Sequence, residues 1–379
     1  MDAMDELYYA LHALRSEKKS LDPEYLNDVK GLSKKMMEGL SKTTGKYLHN
    51  LNNKKKPSKQ ALKKMIDAVP SSLCYKNEKG QLPVQRAVWG HSSIPYIPLL
   101  AIEGVRHNVG GADKRGGLLV EDPFDDHRQN VLQLLGSMQV PSNPEPYDMA
   151  CLNVIKDLKE SNLFLKQDIQ DNNLLVLSCY TTSPLRFDYI AQMDPEGLKQ
   201  HRYVGQPLIH AEIIGSDTTE YLQLFLATAL KHYPHDIGLL FQTNDEGNTA
   251  FECALKKFGN DDIFDVIEQC IPLDGAGELP ILHRVVEHAP EYSNEFGMRY
   301  PSAMFLRDSN GRVLYQCELA SGNKTFGQDS MFFLRMSDEQ VREIDPGTAL
   351  YPFMVAASGE TSDLTAVNYL LRRNPSLVG

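Results

Sequence analysis

The chain contains one tryptophan, and its six cysteines, at 74, 151, 179, 253, 270 and 317, include no CxxC pair. No histidines fall around them at zinc-ligand intervals. Zinc knuckles and thioredoxin-type motifs are thereby excluded, and the thiols read as reduced groups in the cytosol or nucleus. No uncharged apolar stretch reaches bilayer-spanning length, so no membrane contact is expected. "MDAMDELYYALHAL" carries acids where a secretory leader would be basic. "NVGGADKRGG" is neither a GxGxxG fingerprint nor a P-loop, and no nucleophile–base signature stands out. The expectation is therefore a non-enzyme with no catalytic, cofactor or metal residues.

What is present is charge, unevenly placed. The 379 residues sum to −11. Residues 1–64 hold fourteen Lys/Arg against eight Asp/Glu, a balance of +6, with Arg15 as the one arginine. The rest holds twenty-five against forty-two, a balance of −17. An acidic body repels nucleic acid. Lysines alone contact phosphates without reading bases, so a nucleic-acid partner is not expected. "KKKPSK", with Lys54, Lys55, Lys56 and Lys59, has the composition of a nuclear-import segment or of a solvated linker.

One local pattern recurs. "NDEGNTAFECALKKFGN" begins with Asn244, reaches Gly247 and continues as a short apolar helix pattern that Gly259 stops. Asn77-Glu78-Lys79-Gly80 and Asp308-Ser309-Asn310-Gly311 lead similar stretches. Asn or Asp at the first position accepts backbone hydrogen bonds, and glycine takes positive φ without steric cost. Weaker copies are placed at Gly116, Gly205, Gly277 and Gly347, with Asn173 in one glycine slot and another copy near Asn143. The implied period is about 33 residues, in the range of stacked-repeat proteins. Cys179, Cys253 and Cys317 share the slot six residues after the turn, which reads as tight helix–helix packing. Pro70, Pro195, Pro234 and Pro375 read as stops after the second helix of a unit.

Gly80-Gln-Leu-Pro-Val-Gln-Arg-Ala87, Gly247-Asn-Thr-Ala-Phe-Glu-Cys-Ala254 and Tyr351-Pro-Phe-Met-Val-Ala-Ala357 give the sequence a resemblance to the ankyrin repeat. No copy holds the whole Gly-x-Thr-Pro-Leu-His-x-Ala pattern. Thr249 keeps the threonine, Pro83, Pro207, Pro280 and Pro352 the proline, and His210 and His283 look like the histidine displaced by one residue. The closing stretch from Tyr300 resembles divergent ankyrin-repeat-like proteins of the type expanded in diatoms. The resemblance implies an all-α helical repeat solenoid of degenerate ankyrin-like helix pairs, and histidines that bond the neighbouring turn.

The chain then divides into an N-terminal helical cap and basic linker, 1–56, and a repeat array, 57–379. The array is broken by an irregular insertion at about 104–147, rich in glycine and proline. A helix is expected to start at Asp22-Pro23, with a mobile link from Lys42 to Lys59. Trp89, Ile214 and Phe258 each stand one residue before a glycine at the end of a first helix, the partner-facing side of ankyrin arrays. They are the candidate partner-binding residues, with structural packing as the competing role. The leading expectation is a non-catalytic scaffold that binds a protein partner of basic or mixed charge along a concave face. An enzyme with its site in 104–147 or in a groove, and a nuclear regulator addressed by residues 54–64, are the alternatives. Cytoplasm or nucleus is the expected location.

Overall fold

A computed structural model describes residues 23–52, 57–138, 144–179, 184–233, 237–271, 281–308, 310–321, 337–358 and 362–377. The described chain is mostly helical, and its one sheet is a two-stranded ribbon pairing Arg202–Tyr203 with Gln206–Pro207. The chain forms two compact units, Met1–Asp194 and Pro195–Gly379. Turn copies placed at Gly277 and near Asn143 lie outside the described residues, as do Lys54, Lys55, Lys56, Pro234 and Pro280.

In the first unit the helix Pro23–His49 packs against the 3-10 turn Pro70–Cys74 and the helix Pro83–Val88. The helix therefore runs through much of the stretch expected to be a mobile link. Gly45 is the reason: a Cβ there would lie 2.5 Å from the Tyr75 side chain, so only glycine admits the contact. Leu48 and Leu51 bury behind it, and apolar burial holds the segment in place. Further along, Val131–Ser137 packs against Leu174–Cys179, which in turn packs against Pro184–Met193. In the second unit Leu208–Gly215 lies against Ala250–Phe258, Glu220–His232 against Asn260–Cys270, and Ile281–His288 against Leu314–Ser321. The last of these continues to Pro352–Ala357 and Leu364–Arg373, around a core of Val313, Tyr315, Val341, Ala356, Ala366 and Leu370.

The three best sequence turns share one hydrogen-bond pattern. Asn77 Oδ1 accepts from the N–H groups of Lys79 and Gln81, Asn244 Oδ1 from Glu246 and Asn248, and Asp308 Oδ1 from Asn310 and Arg312, at 2.8–3.0 Å. The glycine N–H donates to the carbonyl of the first turn residue each time, and Gly80, Gly247 and Gly311 hold φ near +80°. Asn173 takes the same left-handed region at φ +53°.

Two weaker copies are corrected. Gly116 is not a repeat turn. A Cβ on it would come within 2.1 Å of the Ala101 carbonyl oxygen, so it is glycine to let its loop touch the helix Ile97–Arg106. The turn there lies at Asp125-Asp126-His127-Arg128. Asp125 Oδ2 accepts from His127 and Gln129, and Arg128 fills the glycine slot at φ +56°. At the C-terminal copy Ala349, rather than Gly347, takes positive φ. Asp345 organises that turn, binding Arg312 Nε at 2.8 Å and Nη2 at 3.1 Å, the Gly347 N–H and the Thr348 hydroxyl.

At four of the described turns the fifth residue after the positive-φ position links that turn to the next. Gln85 Oε1 accepts from the Leu82 N–H at its own helix start, while Nε2 donates to the Val120 and Glu121 carbonyls ahead. Gln133 does the same with Asn130 and Asn172, and Gln316 with Val313 and Glu343. His210, also fifth after its turn glycine, reaches the Gln242 carbonyl through Nε2 at 2.8 Å. In this frame it is Pro207, not His210, that is displaced from the ankyrin pattern. The cysteine slot has a local role as well. Cys317 Sγ lies 3.6 Å from Asp308 Oδ2, and Cys253 Sγ lies 3.9 Å from Asn244 Nδ2, so each reaches back to its own turn. Burial, then the charge of Asp308, pushes the Cys317 thiol up to about 12, which keeps it protonated. Cys179 is fully buried.

Two measurements check this account. Gly247→Ala, at a site with open space for a methyl, is expected to cost about 1 kcal/mol from backbone strain alone, whereas Asn173→Gly costs nothing. Urea unfolding giving equal losses for both would refute the turn assignment. Gln316→Ala is expected to cost about 2 kcal/mol, and Gln316→His to recover about half through the outgoing bond; identical midpoints for the two would remove the link.

Candidate functional site

The three partner-binding candidates have different surroundings. Trp89 is half-buried and already has partners in the chain. Its indole N–H donates to Asp122 Oδ2 at 2.8 Å, and its ring meets Phe124 edge-on at 5.1 Å. Asp122 is wholly buried and also accepts from Gln81 Nε2 and the Phe124 N–H. A buried carboxylate needs such donors, so the indole pins the irregular 118–130 segment onto the first turn. Lys79 Nζ covers the Phe124 ring at 3.5 Å.

Ile214 and Phe258 sit at adjoining helix ends. Ile214 is 64% exposed at the end of Leu208–Gly215, whose Leu208, Ile209, Ala211 and Ile213 are all buried. Phe258 is the last residue of Ala250–Phe258 and is partly exposed. Lys257 joins the two places. Its Nζ donates to the carbonyls of Ile213 and Ile214 at 2.8 and 3.0 Å, the favourable place for a cation at a helix C-terminus, and lies 5.4 Å from the Phe258 ring. Of the basic segment only Lys59 is described. It is exposed on the first turn of Lys59–Ala68, a helix capped by the Ser58 hydroxyl.

An open cleft of about 550 Å³ lies on the turn side of the second unit. Lys199, Gln200, Arg202, Pro207, Phe241, Gln242, Thr243 and His288 line it. His288 lies flat on buried Phe241, with ring centres 5.6 Å apart and planes 15° from parallel. Gln242 Nε2 holds the Lys199 carbonyl, and Lys199 Nζ sits 3.5 Å above the Tyr233 ring. None of these residues stands out in the sequence. The signal that could have found them is the turn itself, since Phe241-Gln242-Thr243 runs directly into Asn244.

Among the described residues no three His, Cys, Asp or Glu side chains gather as a metal site, and no helix is long and apolar enough to cross a membrane.

Three histidines share one geometry. His49, His210 and His283 each place Nε2 on a backbone carbonyl, of Tyr75, Gln242 and Arg312 respectively. A carbonyl only accepts, so Nε2 carries the proton and Nδ1 is bare. Each Nδ1 is buried with no partner. Burial is the largest effect on His49 and His283 and lowers both below the ordinary 6.5, against the raising influence of the carbonyl bond and, at His283, of Asp308. Below that ordinary value the unfolded chain takes up protons that the folded chain refuses. Stability from these two groups is therefore complete above about pH 6.5 and falls as the pH drops. Denaturant unfolding at pH 7.5 and 5.5 is expected to show this loss, and His49→Gln with His283→Gln is expected to shrink it. An equal loss in the double variant would rule out these histidines.

Neither a scan of known protein-family models nor a search of curated proteins returns a match to this chain.

Proposed function

We propose that this chain is a non-catalytic protein-interaction module, built as a row of degenerate ankyrin-like helix pairs and binding a protein partner along their exposed helix ends. The observation that carries this reading is the Ile214–Lys257–Phe258 patch. Exposed Ile214 and partly exposed Phe258 end two neighbouring helices whose other apolar residues are mostly buried, and the Lys257 ammonium reaches the Ile214 carbonyl while lying 5.4 Å from the Phe258 ring. Central apolar anchors of this kind supply most of the affinity in protein interfaces. The recurrent turns support the repeat reading, since at four of them the side chain five residues on, Gln85, Gln133, His210 or Gln316, bonds the backbone ahead of the next. A chain with a net charge of −11 favours a partner of basic or mixed charge. No disulfide joins the described cysteines, which fits a reducing compartment, the cytoplasm or nucleus.

Proximity labelling in the native cell, comparing the full chain with Ile214→Asp plus Phe258→Ala, tests the reading. A partner lost in the variant, with unfolding unchanged, is the expected result. An identical set of labelled proteins at matched expression would overturn it.

A further inference from the structure

Basic side chains line the cleft beside the Arg202–Pro207 ribbon, in a protein of net charge −11. Its described lining holds Lys199, Arg202 and His288 and no acidic side chain, with Asp245 on Arg202 and Glu287 3.6 Å from His288 standing outside that lining. Arg202 is set in place: Nε donates to the Gly205 carbonyl at 2.6 Å and Nη2 to Asp245 at 2.8 Å, while Nη1 has no partner among the described residues. About half of its side chain is exposed. Opposite, the His288 imidazole is stacked against Phe241, which fixes one ring face toward the opening. Between Arg202 and Pro207 stands Val204, a β-branched residue at φ +52° and 84% exposed. Positive φ is costly for valine, and Asn, Asp or Gly is the usual choice in such a two-residue turn. The chain thus keeps an apolar knob at a strained tip next to a cationic cleft.

We infer that this cleft receives an extended segment of a partner protein that presents an Asp or Glu side chain, with the carboxylate on Arg202 and the neighbouring chain resting on His288 and Val204. A planar carboxylate matches the guanidinium, and the charge-assisted bond is stronger than a neutral one. The acidic body repels such a segment at long range. That field fades over a Debye length of about 8 Å at physiological salt, leaving the local pairs to decide. The inference rests on the module reading and names what one of its surfaces selects.

The test uses the full chain and three immobilised sets of random nine-residue peptides, alike except for a central Glu, Gln or Lys. The Glu set is expected to be retained about fivefold or more over the Gln set, and Arg202→Gln is expected to abolish that preference. His288→Ala is expected to weaken retention of the Glu and Gln sets alike, since it removes the shelf. Equal retention of Glu and Gln peptides, or a Glu preference that survives Arg202→Gln, would overturn the inference. Both substitutions fall on exposed side chains, and unchanged unfolding midpoints confirm that the fold persists. If the Glu preference is missing while the Ile214 variant still loses its labelled partner, the cleft inference alone fails. If the preference is present and the labelling is unchanged, the helix-end patch fails and the cleft stands.

Discussion

The glutamine or histidine five residues past a turn is the constraint on which the rest of the structure depends. As glutamine it satisfies the first N–H of its own helix with one atom and the backbone ahead of the next turn with another, as Gln85, Gln133 and Gln316 show. The helices that follow these turns are short. The helix Pro83–Val88 has six residues, too few to be stable alone in water. Its register and direction come from these bonds and from apolar burial against the neighbouring helices. Where histidine holds the slot, the outgoing bond is kept and the capping bond is lost.

That substitution introduces a liability that glutamine lacks. An imidazole using Nε2 as donor leaves Nδ1 bare and buried in His210, and the same holds for His49 and His283, which reach carbonyls from elsewhere in the chain. Burial lowers His49 and His283 in particular, and these two give the chain an acid-sensitive seam. The cysteines at the sixth position behave differently. Burial holds Cys253 and Cys317 protonated, so they act as weak polar links to Asn244 and Asp308 and not as nucleophiles.

The surface follows from the same frame. Ile214 and Phe258 emerge at the ends of the helices that follow two of the turns. The turns themselves project the ribbon and loop that border the cleft. Trp89 occupies the same sequence place as Ile214, yet it is spent internally on Asp122, because the irregular 118–130 segment folds back and supplies a buried carboxylate in need of a donor. Trp89 and Ile214, alike in sequence place, thus differ in role because only Trp89 meets a buried carboxylate.

The sequence by itself determined the helical class and the three strong turns, because Asn or Asp followed three residues later by Gly encodes its geometry locally through side-chain acceptors and permitted φ. It also marked Ile214 and Phe258 by their place before a glycine. It could not place the turn at Arg128, since a left-handed arginine carries no compositional mark, and it offered Gly116 instead, whose glycine serves a close approach to Ala101 visible only in three dimensions. The helical Lys42–His49 was missed for the same reason: polar residues read as linker until Gly45 is seen against Tyr75. The Asp122 hub and the cationic cleft arise from residues 33 to 89 positions apart, Trp89 with Asp122 and Lys199 with His288. Only tertiary packing brings such groups together, because local sequence sets backbone preference whereas long-range contacts decide which side chains share a space.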